Sequence, residues 1–170
     1  MKQDDRAGCD LAATAGDRYL AQTHEVLNQP AALVDYNLYT TDRALQEAVG
    51  IQGGQAAEAA LPAFGARLGA ADFLALGEQA NRYPPELDTH DRFGHRIDLV
   101  RFHPAYHALM ETSLGAGMHA APWRSPGSGA HVARAAKFFM MSQVEAGHCC
   151  PVTMTFAAVP ALRHQPELAA

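Results

Sequence analysis

Two histidines in the middle of the chain, His103 and His107, have the spacing that could place two imidazole rings on one metal ion. They lie four residues apart at the predicted start of a helix, and side chains with that spacing share a helix face. A zinc site needs a third and usually a fourth ligand, and the remaining histidines are not spaced to supply them. Glu111, a further four residues along, could hydrogen-bond His107 instead. We therefore interpret the pair as packing and capping residues and predict no metal site.

A glycine-rich segment at residues 127–129 (GSG) precedes another predicted helix. Free N–H groups at a helix start attract phosphate, so this segment could hold an anion. It lacks the Lys-Ser/Thr pair of a P-loop, and no predicted strand comes before it. The interpretation that we favour is a loop in which Ser128 caps the helix.

Glu145 is the carboxylate that lies within an apolar stretch of the C-terminal part. Such a setting can raise the pKa of a carboxyl group and suit it to general-base catalysis. The simpler alternative is a solvated or paired side chain that positions the end of a helix. The three cysteines, Cys9, Cys149 and Cys150, lack the spacing of a disulfide framework, so we expect reduced thiols and packing of the adjacent pair at a helix junction. No catalytic residue is assigned.

The last predicted helix carries Thr153, Met154, Thr155 and Phe156 on its first turns. Two hydroxyls, a flexible thioether and an aromatic ring could line an apolar cavity that has a few polar points. Ordinary interior packing, with the threonine hydroxyls bonded back to the helix, would use the same residues. Both interpretations stay open, and these four residues are the predicted cavity-lining set.

Proline positions and apolar periodicity predict the helices that hold these residues. Thr40, Thr41 and Asp42 are cap candidates for the first helix, and Pro62 and Pro104 suit the first turns of two others. Sparse β-branched residues and short links between helices predict an all-α helical bundle. The six predicted helices cover about residues 42–50, 61–69, 71–81, 104–115, 130–146 and 151–159.

Two segments between the helices carry further predictions. Residues 86–102 are polar and irregular, and we interpret them as a surface excursion or a short hairpin with Ile97, Leu99 and Val100 directed inward. Residues 122–129 are predicted to be a loop that carries the single tryptophan, Trp123.

The two ends of the chain are less regular. Residues 1–22 are small, polar and aperiodic, so we expect a disordered or frayed extension, followed from about residue 24 to 39 by an extended arm that packs on the helices. Pro160 is expected to kink or end the last helix, because a proline inside a helix removes a hydrogen bond.

Composition excludes several classes of function. The 170 residues carry a net charge of −5 without a Lys/Arg cluster, so direct nucleic-acid binding by this segment is not expected. No stretch approaches the roughly 18–20 apolar residues of a membrane span. The N-terminus has no apolar region typical of a secretory signal, and a cytoplasmic location is therefore expected.

Beyond these local patterns, the chain resembles the AidB-like branch of the acyl-CoA dehydrogenase family. The resemblance covers about residues 24–160 and is most specific in its last two segments. The segments that carry it are 24–30 (HEVLNQP), 37–39 (NLY), 74–77 (LALG), 80–81 (AN), 84–87 (PPEL), 98–107 (DLVRFHPAYH), 133–138 (ARAAKF) and 145–157 (EAGHCCPVTMTFA).

The resemblance implies a three-part flavoprotein, with an N-terminal helical domain, a central β-domain and a C-terminal helical bundle. Members of the wider family bind FAD mainly between the last two parts and remove two hydrogens across the α–β bond of an acyl-CoA. A carboxylate takes the α-proton and the flavin accepts the β-hydride. In the AidB-like branch, which is associated with the response to DNA alkylation, a DNA-contacting surface is attributed to the C-terminal part.

Residues 23–170 match the N-terminal helical domain, and the FAD-binding β-domain and the C-terminal domain are expected to be absent from this chain. The resemblance implies that this domain walls the substrate cavity, with Thr153 to Phe156 as the cavity set, and that it contacts other domains or subunits. FAD is expected in the complete family protein, and no stable binding is expected for this chain alone. The alternative function is a non-catalytic helical module for interaction or oligomerisation.

Overall fold

A computed structural model describes residues 27–54 and 59–169. The chain divides into two units, residues 1–32 and 33–170. The predicted extension at residues 1–22 and the first residues of the predicted arm lie outside the described residues. Residues 27–32 are exposed and belong to neither a helix nor a strand. Within the second unit, Leu38 and Tyr39 of the arm are buried, whereas Leu33 is exposed.

The described part of the second unit is mostly helical, which confirms the predicted class. A single antiparallel hairpin interrupts the helices between α3 and α4. The elements are α1 (Arg43–Ile51), α2 (Leu61–Gly69), α3 (Ala71–Arg82), β1 (Glu86–His90), β2 (Arg96–Arg101), α4 (Pro104–Gly115), α5 (Ala121–Arg124), α6 (Ala130–Val144), α7 (Cys149–Leu162) and α8 (Pro166–Ala169).

Local chemistry accounts for the helix starts. The Asp42 carboxylate caps α1 by accepting the Leu45 N–H at 2.9 Å. Proline occupies the first turns of α2 and α4, where its missing N–H has no partner to lose. His103 caps α4, because its Nδ1 accepts the Ala105 N–H at 3.2 Å. The capping interpretation of His103 is therefore confirmed, and within the described residues no group of three metal-ligating side chains forms.

One apolar core holds α2, α3, α4, α6 and the start of α7 together. Helix α3 crosses the end of α6 at Gly77, where an added Cβ would collide with the Val144 carbonyl. Such close backbone approach increases the apolar area that a small bundle can remove from water. The largest fully buried side chains of this core are Leu61, Leu68, Phe73, Leu109, Met118, Met140, Met141 and Val152.

The hairpin of β1 and β2 differs from the prediction for residues 86–102 in the direction of its apolar side chains. The strands pair with a bulge in β2, and Asp98 adopts a left-handed backbone with φ 43°. Ile97, Leu99 and Val100 are 45%, 50% and 47% exposed, so the predicted inward packing is wrong. A two-stranded sheet has no second layer of its own to cover its apolar side chains.

Two helical regions, α5 and α7, also differ from the prediction. Residues 121–124 form the short helix α5 in what was predicted to be a loop. Helix α7 begins at Cys149, two residues before the predicted start, and continues through Pro160 to Leu162. No helix among the described residues is long and apolar enough to cross a bilayer.

Candidate functional site

The four predicted cavity residues lie on α7 but not on one face of it. Thr153 and Phe156 are partly buried, because they point toward α5 and α6. Thr155 is exposed, and Met154 has 67% of its surface exposed. Helical geometry explains the split, since residues three apart share a face and their immediate neighbours do not.

The inward pair belongs to an aromatic and cationic cluster between α5, α6 and α7. The Phe156 ring stacks on Trp123 with centroids 4.8 Å apart, and His131 meets Trp123 edge-on at 4.8 Å. The Arg134 guanidinium carbon lies 3.7 Å from the Phe156 centroid, and its Nη2 lies 3.5 Å from the Thr153 hydroxyl. A cation over a partly desolvated ring is stabilising by about 0.5–2 kcal/mol. These contacts pack the inward half of the predicted set, Thr153 and Phe156, against α5 and α6. That these residues line a cavity stays a prediction.

The Trp123 indole explains why α7 continues past Pro160. In a regular helix the Phe156 carbonyl would accept the N–H of residue 160, which proline lacks. Trp123 Nε1 donates to that carbonyl at 2.9 Å instead. The sequence shows that a carbonyl four residues before Pro160 needs a donor, but it does not show that Trp123 supplies one.

Two cations of α6, Arg134 and Lys137, take backbone carbonyls as their partners. Arg134 Nε donates to Met118 O at 2.7 Å, and Lys137 Nζ donates to Ala116 O at 3.0 Å. Burial lowers the pKa of both side chains. Within residues 27–54 and 59–169 neither cation has a carboxylate at salt-bridge distance. Both cations are half-buried, and they compensate the negative C-terminal end of α4.

Glu145 is the C-cap of α6, in the link that leads to α7, and it does not have the properties of a general base. Its carboxylate accepts the Gly147 N–H at 2.6 Å and the His148 N–H at 2.7 Å. Burial alone would raise the pKa of Glu145, but the hydrogen bonds from the backbone and ring of His148 and from Gly147 hold it below the ordinary value. The paired alternative is thus confirmed and the solvated one is wrong, because Glu145 is 7% exposed.

The two adjacent cysteines differ sharply. Cys149 is buried and Cys150 is exposed. Burial and the nearby Glu145 charge raise the pKa of the Cys149 thiol to about 11. Since a thiol must ionise to act as a nucleophile, Cys149 is a packing residue, as predicted.

The outward half of α7 is an uncovered apolar surface. A helix that is apolar on all sides is normally buried on all sides. The α7 sequence, CCPVTMTFAAVPAL, contains no charged residue, yet half of it faces outward. We call this the outer α7 face; its members are Cys150, Met154, Thr155, Ala157, Ala158, Ala161 and Leu162.

The glycine segment before α6 is explained by packing. The N-cap of α6 is Gly129, with φ 76° and no side-chain cap, so the predicted capping by Ser128 is wrong. A Cβ at Gly129 would collide with the Gly53 carbonyl. Close packing on the Gly53 backbone, together with the left-handed conformation, therefore accounts for a glycine at position 129.

Comparisons with known proteins agree on one family. Residues 28–170 match the family model described as the adaptive response protein AidB N-terminal domain. The chain is 50% identical over 142 residues to "Putative acyl-CoA dehydrogenase AidB" of Escherichia coli (strain K12), a match that covers 83% of this chain and 26% of that protein.

Two solved structures share the fold. The structure described as "Bd2924 apo-form" matches with a TM-score of 0.69 and 27% identity, over 75% of this chain and 26% of the other. Caenorhabditis elegans ACDH-11, solved in complex with C11-CoA, matches with a TM-score of 0.68 and 21% identity, over 84% of this chain and 25% of the other. The chain therefore spans about a quarter of the length of these relatives. It belongs to the AidB N-terminal domain family of acyl-CoA dehydrogenase-like proteins.

Proposed function

We propose that this chain is the helical N-terminal domain of an AidB-like, FAD-dependent acyl-CoA dehydrogenase homologue that acts on CH–CH groups and is linked to the DNA alkylation response. Its role is to supply one wall of the substrate cavity and contacts to other domains or subunits. The outer α7 face carries this proposal, because it is the surface that a helix without charged residues leaves uncovered.

The four residues of the predicted cavity set have two different proposed roles. Met154 and Thr155 point outward and would meet the ligand or the covering domain. The Thr155 hydroxyl donates to the Pro151 carbonyl at 3.0 Å, so its oxygen can still accept one hydrogen bond from outside. Thr153 and Phe156 support this surface from behind through Arg134 and Trp123.

The acyl-CoA dehydrogenase family implies FAD in the full-length proteins, and we propose no flavin ligand among the described residues. The glycine-rich start of α6 packs closely on the Gly53 backbone, where a Cβ at Gly129 would collide with the carbonyl. The half-buried cations Arg134 and Lys137 already bind carbonyls. We therefore propose no catalytic step for these residues, and we propose only that they form one wall of the substrate cavity.

A chimaera tests the proposal. This chain would replace the N-terminal domain of the Escherichia coli relative, to which it is 50% identical. We expect the chimaera to retain FAD, measured by its visible absorbance, and Met154→Glu to impair acyl-CoA binding or flavin retention. Gln79→Glu, a carboxylate introduced at an exposed position of α3, is the matched control. Equal behaviour of the two variants would refute a cavity role for Met154.

The alternative is a non-catalytic helical interaction module. A second apolar surface favours it, namely a groove of about 570 Å³ between α1 and α6. Phe139 forms one wall of this groove and is 49% exposed. Analytical ultracentrifugation of the chain without flavin discriminates the two functions. A stable oligomer that Met154→Glu or Phe139→Glu dissociates would support the interaction module.

A further inference from the structure

Three buried polar side chains form a row of hydrogen bonds across the start of α7. Ser113 of α4 is 0% exposed, His148 is 1% exposed and Glu145 is 7% exposed. The Ser113 hydroxyl lies 2.9 Å from His148 Nε2, and His148 Nδ1 lies 2.7 Å from the Glu145 carboxylate. Buried polar groups are costly unless they are hydrogen-bonded, and here all three are.

The donor and acceptor groups of the three side chains determine which atom donates in each hydrogen bond of the row. An ionised carboxylate can only accept, so His148 Nδ1 must carry the proton in the bond to Glu145. In the neutral imidazole Nε2 then accepts, and the Ser113 hydroxyl donates to it. Each of the three side chains therefore has a hydrogen-bond partner within the row.

The order serine, histidine, carboxylate is that of a hydrolytic triad, but the geometry excludes this use. Ser113 has no exposed surface, so its oxygen cannot reach a substrate. The nearest other nucleophile, Cys149, has its sulfur 4.0 Å from His148 Nε2 and a thiol pKa of about 11. Neither side chain is an activated nucleophile.

We propose that Ser113, His148 and Glu145 form a positioning relay that fixes the first turn of α7 on α4. Glu145 binds the backbone N–H groups of Gly147 and His148, which lead into the helix, and Ser113 anchors the ring of His148 from the neighbouring helix. The relay thereby sets the rotation of α7 about its axis and determines which residues form the outer α7 face. The effect of the relay on a substrate cavity rests on the proposed function. The positioning of α7 by the relay does not depend on that function.

Nitrogen NMR of the unaltered 170-residue chain is the first test, since it needs no variant. We expect His148 to show a protonated Nδ1 hydrogen-bonded to a carboxylate. A neutral ring with its proton on Nε2 would overturn the relay. This measurement decides the question even where a variant fails to fold.

Thiol labelling of Cys149 is the second test, in a chain that also carries Cys9→Ser and Cys150→Ser. Cys149 is buried in the first turn of α7, so its labelling rate reports the opening of that turn. We expect Ser113→Ala to raise the rate about tenfold or more, because His148 Nε2 loses its 2.9 Å partner and keeps only the Cys149 sulfur at 4.0 Å.

Ser142→Ala is the matched control, because the Ser142 hydroxyl bonds only to its own helix, at the Phe139 carbonyl. It should change the rate by less than about twofold. Equal rates in the two variants would contradict the relay. Both readouts are independent of flavin and turnover, so failure of the relay and failure of the cavity proposal are distinguishable.

Discussion

Replacing Trp123 by phenylalanine should weaken α7 by a predictable amount. The change removes the indole N–H that lies 2.9 Å from the Phe156 carbonyl, while an aromatic ring remains beside Phe156. No backbone N–H can take its place, because Pro160 follows four residues later. A partly buried carbonyl without a donor costs about 1–3 kcal/mol. We expect the free energy of unfolding to fall by about 2 kcal/mol, which for a chain of this size lowers Tm by roughly 4–8 °C.

A double-mutant cycle with Pro160→Ala isolates the hydrogen bond from the packing of the ring. Alanine at position 160 restores the backbone N–H that the Phe156 carbonyl would accept in a regular helix. In that background Trp123→Phe should cost only the lost ring burial, about 1 kcal/mol or less. The expected coupling between the two positions is therefore about 1 kcal/mol. Urea unfolding followed by far-ultraviolet circular dichroism measures it, since the single tryptophan is lost with the substitution.

His131→Gln provides the control for this cycle. It alters another ring at the edge of Trp123, 4.8 Å away, without touching the hydrogen bond. It should therefore show no coupling to Pro160→Ala. Additivity of Trp123→Phe and Pro160→Ala within about 0.3–0.5 kcal/mol would show that the indole does not replace the missing helix donor, and the reasoning would be refuted.

Three further predictions concern the helix starts and the adjacent thiols. Since the pKa of Glu145 is held below its ordinary value of 4.5, its stabilising effect is complete above that pH and is lost as the pH falls through the lower folded-state pKa. Glu145→Gln should therefore flatten the acid side of a stability-versus-pH profile, and an unchanged profile would contradict the capping role. Mass spectrometry after brief thiol labelling at about pH 8 should find Cys150 modified at least about tenfold faster than Cys149, and equal rates would contradict the burial of Cys149. Gly129→Ala should lower the free energy of unfolding by about 2–3 kcal/mol, because it combines a left-handed backbone with a collision at a carbonyl, whereas Gly127→Ala in open surroundings should not.

The helix starts could be predicted from sequence because their causes are local. Pro62, Pro104 and Asp42 act within the first turn of their own helices, and the structure places them there. The passage of α7 through Pro160 could not be predicted, because the compensating donor comes from Trp123, which is distant in sequence. The hairpin was foreseen as a possibility, but the direction of its side chains depends on what packs beside it.

The candidate site shows the same limit. The sequence identified the α7 segment and its family, and the comparisons confirmed the family. The division between Phe156, which packs inward, and Met154, which points outward, depends on the rotation of the helix. Because α7 has no charged residue on any side, it has no amphipathic pattern from which that rotation could be predicted. The pairing of Glu145 was one of two open alternatives, and the link of His148 to Ser113 on α4 required the folded arrangement.

The uniform apolar character of α7 has a consequence for how the helix tolerates change. One residue corresponds to a turn of about 100° about the helix axis, and on α7 such a turn would exchange one set of apolar side chains for another at little cost in burial. The two ends must therefore fix the rotation, Glu145 at the start and Trp123 near the end. If either anchor is lost, α7 can remain helical and buried while it presents different side chains outward. The loss of stability on substitution of an anchor therefore does not measure the change in the outer surface, which depends on the new rotation of α7 and not on the free energy lost.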